Sequence, residues 1–196
     1  MEGEIMSTNG KHGVTANTPK NILFGAGTIH KGLSVSATTV EYGTIVGATS
    51  GGSKLSIVPE VTNIEVDGAL VKAKGLAKKT GEVATMEINL IELSTDMLKA
   101  AIIGDDGTST LATHDLIVSK PDIEEGDYWD SIAFVGKTVE GLDIIVILEN
   151  ALCTSGLELE GKHKEGAVGT FTFECYAELT SDLDTLPYHI YYPKSS

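Results

Sequence analysis

Gly25, Ala26 and Gly27 directly follow the apolar run Ile22-Leu23-Phe24. A strand that runs into a Gly-x-Gly turn is how a dinucleotide-binding loop begins. That chemistry needs a third glycine and a helix whose N-terminus faces the pyrophosphate. Here His30 takes the third position, and KGLSVSATTVEYG behind it is rich in glycine and β-branched residues, a poor helix. The βαβ setting is missing, so the stretch reads as a glycine-punctuated turn between an arm and a strand. The five histidines, His12, His30, His114, His163 and His189, form no i,i+3 or i,i+4 pair and give no metal signature. His163, between Lys162 and Lys164, reads as a solvated loop residue. Asp105-Asp106-Gly107 lacks the alternating ligands and closing glutamate of a calcium loop. DIEEGDYWD gathers Asp122, Glu124, Glu125, Asp127 and Asp130, which allows a weak cation site. It reads more simply as a solvated acidic loop anchored by Trp129. There is no Gly-x-Ser-x-Gly elbow, and neither Cys153 nor Cys175 has an activating neighbour in sequence. The expectation is a protein without catalytic residues, cofactor or metal, and so not an enzyme.

Composition narrows the class further. At 196 residues the chain suits one domain able to bury a sizeable core. Its 14 basic residues, all lysine, stand against 28 acidic ones, for a net charge of −14. Arginine, the usual bidentate ligand of phosphate and guanine, is absent, which argues against tight nucleic-acid binding. It does not argue against a surface past which nucleic acid slides. Two cysteines are no disulfide framework. Cys175 shares an alternating face with Phe171, Phe173 and Leu179, the pattern of a reduced core cysteine. MEGEIMSTNG lacks the basic and apolar regions of a signal peptide, and the longest aliphatic run, Ile144 to Leu148, is far too short to cross a bilayer. Synthesis in a reducing cytosol, with no membrane partner, is expected.

The elements that would carry any site are mostly strands. Residues 1–20 read as a mobile N-terminal arm, 21–186 as a single β domain and 187–196 as a C-terminal arm. Leu33 to Val46 looks extended, and GATSGGSK reads as a flexible loop. VTNIEV and ALVKAKG flank Asp67-Gly68, a tight-hairpin pair. VATMEINLIE places Ala84, Met86, Ile88 and Leu90 on a dry face and Thr85, Glu87 and Asn89 on a wet one. STDMLKAAIIG is the one good helix, capped by Ser94 or Thr95 and stopped by Gly104. GDDGTSTLATHD and SKPDIEEGDYWD follow as loops. Strands are expected at 131–136, 142–149 and 152–160, with a turn at Glu140-Gly141. GTFTFECYAEL then alternates with Thr170, Thr172, Glu174, Tyr176 and Glu178 on its wet face, and LPYHIYYP reads as an edge strand or terminal arm. The fold class is mainly β: a sandwich or barrel of about eight strands with one short flanking helix.

A β-rich, arginine-free, acidic chain with arms and a Gly/Ser loop has the profile of a structural or interaction protein. It resembles the bacteriophage major tail proteins, the tail tube family. The similar stretches are NTPKNILFGAGTIHKGL, VGATSGGSKLSIVPEVTNIEVDGA and KGLAKKTGEVATMEINLIELSTDMLKAAI, spanning roughly residues 17 to 103. The resemblance implies subunits in hexameric rings stacked into a hollow tube, with strands joined edge to edge and a long loop and arm bridging to the next ring. The tape-measure protein and then DNA, without specific binding, would occupy the lumen. The protein would belong to the virion tail, assembled in the bacterial cytoplasm, and a long flexible tail is favoured. Candidate lumen-facing residues are Glu87, Asn89, Glu174 and Glu178. Candidate ring-stacking residues are Phe24, Gly25, Gly27, His30, Gly47, Ser50, Gly51, Gly52, Ser53 and Tyr191. The alternatives are a β-sandwich binding module, with Trp129 and Tyr128 as its only aromatic platform, and a capsid decoration protein.

Overall fold

Strict alternation in β6 (Ala77–Leu90) sets the architecture: Ala84, Met86, Ile88 and Leu90 are buried and the residues between them are not. The computed structural model describes residues 13–15, 17–159, 166–181 and 183–194. Within them the elements before β6 are α1 (Thr18–Asn21), β1 (Leu23–Lys31), β2 (Ser34–Val35), β3 (Val40–Glu41), β4 (Thr44–Ile45) and β5 (Thr49–Asn63). After it come α2 (Thr95–Ile102), β7 (Gly104–Gly107), β8 (Leu116–Ser119), β9 (Trp129–Thr138), β10 (Asp143–Cys153), β11 (Gly169–Cys175) and β12 (Tyr188–Tyr191). The fold is mainly β, with an eight-stranded antiparallel sheet in the order β4-β1-β9-β10-β11-β6-β5. β12 continues the line of β11 along β10, pairing Leu148 with Tyr188 where β11 pairs Ala151 with Cys175.

The ladder does not close into a barrel among the described residues. The chain nevertheless leaves β4 at Ile45 on one edge and enters β5 at Thr49 on the other. Four residues span at most about 14 Å, so the sheet curls until its edges approach. Val46 N donates to Ile29 O on β1 and Ile91 N to Ala48 O, so this short link touches both sides. Inside the curl lies the main core of Ile88, Leu90, Met97, Trp129, Phe171, Phe173 and their neighbours. The run Ile144 to Leu148 is buried on both faces, because Leu33, with Val35 and Val40 of the β2–β3 pair, covers the outside of β9 and β10. At Asn150 (φ 48°) the inward parity of β10 changes, so Leu148, Ala151 and Cys153 all face the core.

Several sequence expectations change here. α2 forms as expected, with Ser94 Oγ accepting from Met97 N at 3.1 Å. Its stop is Ile103 (φ 51°), not Gly104, which begins β7 against β8. A methyl at Gly104 would lie 2.9 Å from Val118 O, so glycine is needed there for strand approach. GDDG is therefore strand, and most of GATSGGSK is too, since β5 runs through it. Asp67-Gly68 does turn, but inside a longer connection over 64–76 that joins Asn63 to its partner Ala77. β10 ends at Cys153, short of residue 160, and β11 ends at Cys175, so Leu179 is 92% exposed rather than on the core face. A second short helix, α1, occupies the end of the expected N-terminal arm, and β12 occupies the expected C-terminal arm. Residues 1–12 and His163 lie outside the described residues.

Candidate functional site

Where β11 flanks β6, the outer face of β5, β6 and β11 is polar because its residues alternate with the core; the next outer pair along β5 and β6, Val58 and Val83, is apolar and exposed. Lys54, Glu87 and Thr172 lie in one cross-strand row, and Ser56, Thr85 and Glu174 in the next. Asn89 Nδ2 donates to Gly52 O at 3.1 Å and its Oδ1 accepts from Thr170 Oγ1 at 2.7 Å. Three of the four expected lumen-facing residues, Glu87, Asn89 and Glu174, therefore share one wet surface. Glu178 does not: it lies beyond β11, where its carbonyl accepts from Ser181 N and Oγ.

The expected stacking residues fall on separate elements. Phe24, Gly25 and Gly27 belong to a β1 bulge opposite Lys137 and Val135. Gly27 (φ 68°) is structural, since a methyl there would overlap the Phe134 ring. His30 is only 7% exposed and is not a surface contact. Its Nε2 lies 2.9 Å from Thr28 Oγ1, its ring meets Tyr42, and its Nδ1 has no hydrogen-bond partner among the described residues. Gly47 lies in the link between the two sheet edges. Ser50, Gly51 and Gly52 all stand opposite Asn89, forming a bulge in β5, and Ser53 resumes the ladder against Ile88. Tyr191 pairs with Ile145 in β12.

The residues offered for other chemistry are otherwise engaged. Lys120 Nζ sits 3.0 Å from Glu124 and 2.9 Å from Asp127, so a lysine fills the centre of the acidic loop. Those carboxylates hold the Lys120 ammonium above its ordinary pKa. Lys99 is raised in the same way by Asp106, on the strand expected to be a loop. Among the described residues no three His, Cys, Asp or Glu side chains are placed to hold a metal. Trp129 is buried against Phe173, ring centroids 4.6 Å apart, with Lys31 Nζ 4.5 Å from its ring centre. It therefore supplies no exposed platform. Burial pushes the Cys175 thiol up to about 12 and also raises that of Cys153. Neither is poised as a nucleophile.

What remains open is the end of the β5–β6 hairpin. β11 covers β6 only from Thr85 to Leu90; before that, β6 pairs with β5 alone. The two strands continue as a ribbon from the Ile57–Ala84 pair to the Asn63–Ala77 pair, roughly 20 Å at the usual rise per residue. Its tip exposes Ile64, Val66, Leu70 at 99% and Val71 at 80%. An isolated two-stranded ribbon is marginal in water, and exposed apolar clusters mark contact sites. VKAKGLAKK also concentrates Lys72, Lys74, Lys78 and Lys79 in an otherwise acidic chain. Only Lys79 has an ion pair among the described residues, with Glu82 at 2.7 Å. Sequence reasoning passed over this tip; the signal was an apolar triplet and clustered lysines in what should be a polar turn.

No protein-family model matches the chain, and no curated protein matches it. Among the described residues, no helix is long and apolar enough to cross a membrane.

Proposed function

We propose that this chain is a structural subunit that assembles with copies of itself, as the tail tube subunit of a bacteriophage. The observation that carries the reading is the curled, open-edged sheet whose longest hairpin projects an apolar tip into solvent. Unpaired edges and a bare ribbon are liabilities in a monomer and joining surfaces in an assembly. In this reading, edges of six copies join into the continuous barrel that one copy leaves open, and rings stack. The polar face bearing Glu87, Asn89 and Glu174 lines the lumen, where the tape-measure protein and then DNA pass. With −14 per subunit and no arginine, such a wall repels phosphate and offers no bidentate grip. The virion tail, built in the bacterial cytoplasm, is the corresponding location. Sedimentation velocity over a concentration series tests the assembly. The expected species are hexamers and multiples of them; a closed dimer or trimer at every concentration would contradict the reading.

A further inference from the structure

On β6 the even-numbered residues from Ala84 to Leu90 face the core, and Glu82 stands next in that series. Its side chain is only 11% exposed, so a carboxylate sits at the rim of the core. Burying a charge costs free energy unless partners take it up. Here each oxygen has one. Oε1 accepts from the Tyr188 hydroxyl at 3.2 Å, and Oε2 lies 2.7 Å from Lys79 Nζ. Tyr188 opens β12, and that strand is firmly seated. The Pro187 carbonyl accepts from Glu149 N at 3.0 Å and from Cys175 Sγ at 3.5 Å, and Tyr188 packs against the main core. Lys79 lies across an irregularity in the ribbon. Glu60 pairs with Gly81 and Val61 with Lys79, so Thr80 is left out of the ladder as a bulge. Glu82 is opposite Pro59, on the sheet side of that bulge. One carboxylate therefore joins the sheet side of the hairpin, the C-terminal strand and the distal arm over 61–79.

We infer that Glu82 locks a hinge: while it holds Tyr188 and Lys79 the distal arm of the hairpin keeps one direction, and without it the arm swings about the Thr80 bulge. A residue left out of a ladder bends and twists its strand. Pro59, with no N–H to donate, stands beside Glu60 on the facing strand. Beyond the bulge only three pairs, Val61–Lys79, Thr62–Lys78 and Asn63–Ala77, hold the arm together, and neither β11 nor β12 forms a ladder with it among the described residues. The Thr62 and Thr80 hydroxyls, 3.2 Å apart, tie the arm to the bulged residue alone. Among the described residues, Lys79–Glu82 is the one ion pair that crosses the bulge. Because Glu82 is nearly buried, salt screens that pair less than it would a pair in open water. The inference concerns the isolated chain and does not rest on the self-assembly reading.

The test measures distances in the full chain by pulsed electron paramagnetic resonance. Cys153 and Cys175 are 2% and 3% exposed, so nitroxide labels go to introduced cysteines. Ala77→Cys with Asp130→Cys, both exposed positions, reports the arm against the sheet. Lys54→Cys with Asp130→Cys reports two sites on the sheet itself. The otherwise native chain is expected to give a narrow distribution for both pairs. Glu82→Ala removes both contacts and is expected to widen the arm distribution about two-fold, since the lever from the bulge to Ala77 is roughly 10 Å long. Tyr188→Phe keeps the ring in the core, removes only the hydroxyl, and is expected to widen it in the same sense. The sheet pair is expected to stay narrow in every variant. An arm distribution as narrow in both variants as in the native chain would overturn the lock. So would a native distribution already as wide as theirs. A sheet pair that widens together with the arm would also overturn it, by making Glu82 a support of the whole sheet.

Discussion

Cys175 is 3% exposed, and its Sγ donates to Glu149 O at 3.2 Å. Burial raises its thiol from 9.0 to about 12, with the nearby Glu149 and Glu174 charges adding to the rise. Below pH 9 the thiol is protonated in both folded and unfolded chains and contributes nothing to pH dependence. From pH 9 towards 12 only the unfolded chain ionises, so stability falls by about 1.4 kcal/mol per pH unit from this group. Denaturant midpoints should hold steady from neutral pH to about pH 9 and then drop, and Cys175→Ala should flatten that drop. An unchanged alkaline slope in the variant would contradict the burial. Neither thiol should react with iodoacetamide in the native chain. Asn89 carries a different kind of load, tying β5 through Gly52 to β11 through Thr170. Asn89→Ala should cost about 1–2 kcal/mol in chemical denaturation, since it leaves the Gly52 carbonyl and Thr170 hydroxyl to find new partners.

At the scale of the element, the hairpin is the feature to perturb. Gly51 and Gly52 sit at φ 86° and 84° in the β5 bulge, a conformation that costs other residues about 1–2 kcal/mol each. Gly51→Val with Gly52→Val should therefore lower thermal stability, measurable by calorimetry. Deleting Gly51 to Ser53 shifts β5 by one position against β6 and turns its faces over. It should misfold the hairpin rather than merely prevent stacking. Replacing 64–76 by a short Asn-Gly turn removes the tip without touching the ladder, and should leave a soluble fold that cannot stack. β6, β11 and α2 were legible in the sequence because a single buried face imposes a strict period of 2 or 3.6. The start of β5 was not, because glycines and serines at a bulge imitate a loop. The aliphatic middle of β10 shows no alternation because it is covered on both sides. The wet face shared by Glu87, Asn89 and Glu174 was readable from alternation alone, whereas the exposed tip was not: Leu70 and Val71 sit in a stretch between strands where polar turn residues are the rule.

At the scale of the whole molecule, among the described residues the sheet has unjoined edges and the ribbon a bare tip. The chain carries a net charge of −14 and no arginine. Duplex DNA should show no gel shift with the free subunit at physiological salt, since too few phosphates could be neutralised. A salt-sensitive complex would mean that the clustered lysines at 72–79 serve nucleic acid instead of a second copy. The most direct measurement is negative-stain electron microscopy of the purified chain at increasing concentration. Six-fold rings and hollow tubes are the predicted result. Closed trimers or dimers without rings would contradict it and would place the protein among decoration or binding modules.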